Sequence, residues 1–141
     1  MIEMDELYRE YLLDHYKNPK NFGEIKNPDI YKHDSNPLCG DDIEIFAKID
    51  DKTERIKDIR FKGHGCVICI ASASILMGEL EGKKLKDAQK MQTKDMLNLL
   101  GIELTPTRVK CMMLPLKAVQ KGIIDYETNK IGQKSIGDKN E

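Results

Sequence analysis

The residues best suited to chemistry are three cysteines, Cys39, Cys66 and Cys111, which lie at three separate breaks in the hydrophobic pattern. Cys39 stands in an Asn-Pro-Leu-Cys-Gly-Asp segment that ends at Asp41. Cys66 follows a Gly-His-Gly turn and opens an apolar helical run, and Cys111 also opens a helical run. The positive end of a helix dipole favours a thiolate over a thiol. Three thiolates and one carboxylate therefore indicate a site for zinc or iron.

Each cysteine also has a plainer interpretation. A lone cysteine is most often a small buried hydrophobic residue, and the spacing here is not a compact zinc-finger pattern. Cys69 lies in a stretch of small residues and is best interpreted as a packing residue. As the second cysteine of a Cys-x-x-Cys motif it is alternatively a spare ligand or a resolving thiol, which would suit a thiol–disulfide protein. His64 is better explained as a loop histidine near the site than as a ligand.

Composition limits the class of protein. The chain has 141 residues, 40% of them hydrophobic, and a formal net charge of −1, which suits one domain with no strong field for nucleic acid. Only four of the 23 basic residues are arginines, the side chain preferred for reading phosphates. The longest apolar stretch, near 66–77, is too short to span a membrane. The acidic N-terminus has no apolar signal region, so we expect a cytoplasmic, reducing location in which cysteines serve as ligands or nucleophiles.

The elements that must position the cysteines can be predicted from hydrophobic periodicity. In the first half of the chain, the pattern predicts a helix over residues 4–17 and a polar loop over residues 19–41. It also predicts a short strand at 29–34, within this loop, and a hairpin over residues 42–62. The second half predicts a helix that ends at Gly82, two short helices and a last helix, over residues 66–80, 85–90, 93–100 and 111–126. Thr93 is the expected N-cap of the helix over residues 93–100, and Gly101 is expected to end it.

Pro115 constrains the last helix, because proline is tolerated in a first turn but kinks a helix interior. An unkinked helix would place Cys111 at its N-terminal edge. Residues 127–141 are polar and aperiodic, and we expect a flexible tail after a single domain of residues 1–126. Strands and helices are segregated along the chain, so the predicted class is α+β, with a small antiparallel sheet of about three strands packed against helices.

Four ordered motifs resemble the IscU/SufU/NifU N-terminal family of iron–sulfur cluster assembly scaffolds. Residues 14–21 resemble the family's DHYxNPRN opening, and residues 36–41 match its NPxCGD loop. Residues 61–74 match FxGxGCxxxxASAS, and residues 108–111 resemble the third cysteine motif. The resemblance covers roughly residues 5–126 and implies the IscU/SufE-like fold.

The resemblance also implies roles. Cys39, Cys66 and Cys111 would be ligands or sulfur acceptors, with Cys111 the candidate persulfide acceptor. Asp41 would be a fourth ligand, or the residue that keeps the cluster labile. A scaffold of this family is not an enzyme: it accepts sulfur from a cysteine desulfurase, receives iron from an iron donor, builds a transient 2Fe-2S cluster and passes it to recipient apo-proteins. Tyr8 corresponds to a tyrosine that related scaffolds use in self-association, which would give a homodimer.

Two departures from the family pattern leave alternatives open. Lys110 stands where the IscU branch has a histidine, and lysine there is typical of the SufU branch, whose members bind zinc and act as sulfur acceptors. The interval from Cys66 to Cys111 nevertheless has the IscU length. The fourth ligand is therefore Asp41, Lys110, His64 or Cys69, and the alternative function is a zinc-dependent sulfur acceptor with sulfurtransferase activity. Residues 104–108 retain only parts of the LPPVK chaperone segment, which puts dependence on a dedicated chaperone in doubt.

Overall fold

The computed structural model describes the backbone of residues 2–38 and 40–140 and the side chains of residues 9–38 and 40–130. A long helix precedes three strands, and four helices follow them. In chain order the elements are α1 (Ile2–Lys17), β1 (Ile30–Asn36), β2 (Asp41–Asp50), β3 (Arg55–His64), α2 (Val67–Leu80), α3 (Leu85–Lys90), α4 (Thr93–Leu100) and α5 (Pro106–Asn140). The predicted α+β class and the three-stranded antiparallel sheet are confirmed.

The sheet has the order β1–β2–β3, with both pairs antiparallel. Alternate residues of β2 point to one face, and Ile43, Ile45 and Ile49 are buried there. Phe46 breaks the alternation, because its ring lies on the opposite face against the ring of Tyr31, with centroids 5.2 Å apart. The apolar face is the one that the helices cover.

Helices α2 and α5 cover the apolar face of the sheet, α2 against β3 and α5 against β1 and β2. Every residue of α2 from Cys69 to Met77 is buried, since α1, α4 and α5 also pack against this helix. Gly122 allows the close approach of α5 to β1, because a Cβ atom there would lie 2.7 Å from Cγ2 of Ile30. The core therefore lies between the sheet and these two helices.

The end of α1 is fixed to α2 through polar groups. His15 is 8% exposed, and its Nδ1 lies 2.7 Å from Oγ of Ser74 in α2. The same hydroxyl accepts a hydrogen bond from the backbone N–H of Lys20 at 2.7 Å. The side-chain amide of Asn21 donates a hydrogen bond to the carbonyl of Ile59 at 2.8 Å. The backbone of Asn21 is in the left-handed region, with φ of 59°. The residues of the DHYxNPRN-like segment thus hold α1 and the following loop against α2 and β3.

The last helix differs from its prediction at both ends. It begins at Pro106, so Cys111 lies in the second turn and Pro115 lies inside the helix. The prediction that Cys111 marks the N-terminal edge was wrong, because the first turn is polar and only the later turns carry the apolar periodicity. The backbone stays helical from Tyr126 to Asn140. The flexibility of residues 127–141 stays a prediction.

The start of α4 also differs in its cap. The N-cap is Gln92 rather than Thr93, and Gln92 forms a capping box with Asp95. Gly101 ends this helix in the left-handed conformation with φ of 74°, as predicted. Within the part of the chain that the structure describes, no helix is both long and apolar enough to cross a membrane.

Candidate metal centre

Three of the predicted ligands come together from three separate elements. One ligand atom each of Asp41, Cys66 and Cys111 lies within 4.8 Å of the other two. Asp41 is the first residue of β2, Cys66 immediately precedes α2, and Cys111 lies in the second turn of α5. Two sulfurs and a carboxylate at this separation are suited to binding a single zinc or iron ion.

Asp41 is bound to Cys66 through both carboxylate oxygens. The backbone N–H of Cys66 donates to Oδ1 at 2.9 Å, and the thiol donates to Oδ2 at 3.6 Å. The carboxylate is 1% exposed. A buried carboxylate is costly unless it is hydrogen-bonded or paired with a cation. Its oxygen is already directed at the sulfur, so a cation that displaces the thiol proton would find both ligands in place.

Cys66 is also the N-cap of α2. Its Sγ accepts a hydrogen bond from the backbone N–H of Cys69 at 3.4 Å, in the manner of a serine cap. The first turn of α2 contains no acidic residue, so Asp41 supplies the negative charge at the positive end of this helix. The start of α2 thus fixes the position of the sulfur relative to the carboxylate.

Gly65 is required by the same geometry. A Cβ atom at residue 65 would lie 2.5 Å from Oδ1 of Asp41 and 3.2 Å from its Cα. Any larger residue would push the carboxylate away from the amide of Cys66. The second glycine of the Gly-His-Gly turn therefore lets the backbone at residue 65 lie close to the carboxylate of Asp41. The sequence pattern indicated this turn only as a break before a helix.

Cys111 is more enclosed than its predicted place at a helix edge implied, since it is 1% exposed. Pro115 lies one turn later and has no N–H with which to continue the helical ladder toward residue 111. Cys66 is only partly buried. Cys66 is consequently the more accessible of these two sulfurs.

The remaining predicted residues divide between the site and its surroundings. Cys39 lies outside the described residues. Asn36 and Asp41, which precede and follow it in the sequence, are paired between β1 and β2. Cys69 is fully buried in the hydrophobic core, as the packing interpretation predicts. His64 and Lys110 are exposed. Among the described residues, His64 does not belong to the set formed by Asp41, Cys66 and Cys111.

Two side chains that the sequence analysis did not assign to the site lie beside Cys66. Arg9 and Tyr16, both from α1, line a cavity that also contains Cys66 and Arg108. Their place beside Cys66 depends on how α1 packs against α2. Arg9 lies in none of the four motifs, and the motif that contains Tyr16 did not indicate its contact with the site.

The fold and the grouped ligands together define a small α+β domain with a candidate thiolate–carboxylate metal centre. The sequence profile of the NifU-like N-terminal domain family matches residues 7–133. The chain belongs to this family.

Two curated relatives represent the two branches that the motifs suggested. The chain is 36% identical to the zinc-dependent sulfurtransferase SufU of Bacillus subtilis, over 88% of this chain and 94% of that protein. It is 35% identical to the iron–sulfur cluster assembly scaffold protein IscU of Escherichia coli, over 87% of this chain and 96% of that protein. The predicted family is therefore confirmed, with both branches among its relatives.

A solved structure shows the same fold. The chain superposes with a TM-score of 0.68 on a protein of Fervidobacterium islandicum AW-1 that is provisionally assigned as an iron–sulfur cluster assembly scaffold for the SUF system. The sequences are 27% identical, and the match covers 81% of this chain and 94% of that one. The sheet and helices described above are thus the family fold.

Proposed function

We propose that the protein is an iron–sulfur cluster assembly scaffold. It accepts sulfur from a cysteine desulfurase, receives iron from an iron donor, builds a transient 2Fe-2S cluster and transfers the cluster to apo-proteins. The observation that supports this proposal most directly is the grouping of Asp41, Cys66 and Cys111 within 4.8 Å, in a chain similar to IscU. Cys39, two residues before Asp41 in the sequence, would complete the ligand set.

The chemistry of the ligands suits a transient cluster. Thiolates attack sulfane sulfur and then bind iron, so the same residues serve sulfur capture and cluster binding. Replacing one thiolate by the harder carboxylate of Asp41 weakens the hold on iron relative to four cysteines. The partial exposure of Cys66 leaves a path for transfer. Cys111 as persulfide acceptor stays a prediction, and its burial makes Cys66 the more accessible entry point.

A second candidate function is a zinc-dependent sulfur acceptor. It is favoured by the similarity to SufU and by Lys110, which stands beside Cys111 where a histidine would be expected in the IscU branch. In this function the same ligands would hold zinc, and a cysteine would carry the persulfide. The two functions differ in what the purified protein binds.

Anaerobic reconstitution with iron and sulfide separates the two functions. A scaffold gives a visible-absorbing 2Fe-2S species that is lost in Cys39→Ser, Cys66→Ser and Cys111→Ser and kept in Cys69→Ala, the matched control in the core. A zinc-dependent acceptor instead carries about one tightly bound zinc per chain, stimulates the desulfurase and forms little cluster. Absorption that survives all three serine substitutions would show that the proposed site is wrong.

A further inference from the structure

A cavity of about 750 Å³ opens beside Cys66. Arg9 and Tyr16 of α1 line one side, and Leu104 and Arg108 line another near the start of α5. Cys66 contributes to the wall, while Cys111 is buried and absent from the described lining. The cavity therefore gives access to one cysteine of the site.

The two arginines of this cavity, Arg9 and Arg108, are available to bind a ligand. Both are exposed, and neither forms an ion pair or hydrogen bond with any residue that the structure describes. The other two arginines of the chain are engaged, Arg55 with the carbonyl of Gly82 and Arg60 with Asp58. A guanidinium is the side chain best suited to bind a carboxylate through two parallel hydrogen bonds. Two such groups beside a cysteine favour an anionic ligand.

The backbone adds to the positive potential of the cavity. Cys66 caps α2, and the first two residues of this helix, Val67 and Ile68, also line the cavity, so the positive end of the α2 dipole lies beside this space. The described lining contains no acidic residue. Glu103 lines the adjoining groove of about 1190 Å³, and Asp41 is occupied by its contacts with Cys66.

We infer that this cavity binds a small persulfide bearing a carboxylate, and that Cys66 takes sulfur directly from it. This inference rests on the proposed function in one respect, namely that Cys66 handles sulfur. It adds a sulfur source that needs no protein donor. Arg9 and Arg108 bind the carboxylate, and the outer sulfur of the ligand lies toward Cys66.

The transfer balances without an oxidant or reductant. The Cys66 thiolate attacks the outer sulfur of R–S–SH, a new sulfur–sulfur bond forms at Cys66, and the bond within the ligand breaks. The electron pair leaves on the inner sulfur as R–S⁻, which takes up the proton released by the Cys66 thiol. The products are a Cys66 persulfide and the thiol R–SH.

Two persulfides that differ in charge test the inference. The protein is mixed with the persulfide of mercaptopropionate, which carries a carboxylate, or with that of mercaptoethanol, which carries a hydroxyl in its place, and labelling of Cys66 is followed by mass spectrometry. The ratio of the two rates is compared between the unmodified protein and Arg9→Gln/Arg108→Gln, which cancels the intrinsic reactivity of each reagent. Lys94→Gln/Lys117→Gln removes two exposed charges away from the cavity and serves as the matched control.

We expect the ratio to fall on the order of tenfold in the arginine variant and to stay unchanged in the lysine control. An equal ratio in all three proteins would overturn the inference. An unchanged ratio with impaired transfer from a desulfurase in the arginine variant would also overturn it, and would assign the cavity to a protein segment. Reconstitution of the cluster from inorganic iron and sulfide does not need the arginines, so its failure in the unmodified protein counts against the proposed function alone.

Discussion

At the scale of single residues, Asp41 and Cys66 form the best-defined part of the site. The carboxylate is 1% exposed and accepts hydrogen bonds from both the amide and the thiol of Cys66. Asp42, its neighbour in β2, points to the opposite face of the sheet and is bound to His33. Adjacent carboxylates thus have different environments, because successive side chains of a strand point to opposite faces.

Asp41→Asn should weaken zinc binding about tenfold or more, because the amide keeps the shape of the side chain but loses the charge that the cation requires. Competition with a chromophoric chelator measures the affinity, and circular dichroism checks the fold. Asp42→Asn is the control and should bind zinc as the unmodified protein does. Equal affinity of the two variants would remove Asp41 from the ligand set.

Gly65→Ala should also weaken metal binding, for a steric reason. The added Cβ would lie 2.5 Å from Oδ1 of Asp41, so the carboxylate must move away from Cys66. Gly78→Ala is the matched control, since a Cβ there meets no atom within 4 Å. Chelator competition should show a loss for Gly65→Ala only, while Gly78→Ala should be neutral or slightly stabilising in thermal unfolding. Normal zinc affinity in Gly65→Ala would contradict the close approach.

At the scale of elements, the packing of the end of α1 against α2 depends on the neutral form of His15. Burial first, and the charge of Lys20 second, lower the pKa of His15 below its usual value, against a smaller opposite effect of Asp14. The hydroxyl of Ser74 accepts from the amide of Lys20, so it can donate its own proton to neutral His15. Protonation of His15 would remove this acceptor.

The stability that neutral His15 provides is therefore complete above the unfolded-state pKa of about 6.5 and is lost as the pH falls through the lower folded-state value. Urea unfolding of the metal-free protein between about pH 7.5 and pH 5 should show a decline in the free energy of unfolding. His15→Gln should flatten this decline, whereas His64→Gln, which alters an exposed histidine, should leave it unchanged. Identical slopes for the two variants would assign the decline to other groups.

At the scale of the whole molecule, the site is assembled by long-range packing. The sheet presents Asp41, α2 presents Cys66, and α5 brings Cys111 to them by packing on both β1 and α2. An unfolded chain holds these ligands far apart. A metal ion that binds all of them binds the folded state alone, so metal binding and folding stability are linked.

Zinc should accordingly raise the melting temperature of the protein. At a hundredfold excess over the dissociation constant the gain is about 2.7 kcal/mol, which for a chain of this size corresponds to on the order of 10 °C. Thermal unfolding followed by circular dichroism, with zinc and then with an excess of chelator, measures the shift. The Cys66→Ser/Cys111→Ser protein should show almost none of it, and an undiminished shift there would place zinc elsewhere.

The sequence by itself determined the order and type of the elements, because periodicity, turn residues and caps are local properties. The hairpin, the short strand at residues 29–34, the end of α4 at Gly101 and the motifs around three cysteines were all accessible in this way. The start of α5 was missed because its first turn is polar, and a proline at the first helical position leaves no apolar signal.

Only the tertiary structure decided which side chains of the candidate site lie in contact. The four alternatives for the fourth ligand have different surroundings: Asp41 accepts a hydrogen bond from Cys66, Cys69 lies in the core, and His64 and Lys110 are exposed. The cavity beside Cys66 likewise brings together Arg9 of α1 and Arg108 of α5, which are about a hundred residues apart in sequence. Local patterns specify elements, whereas a binding site depends on contacts between elements that are distant in sequence.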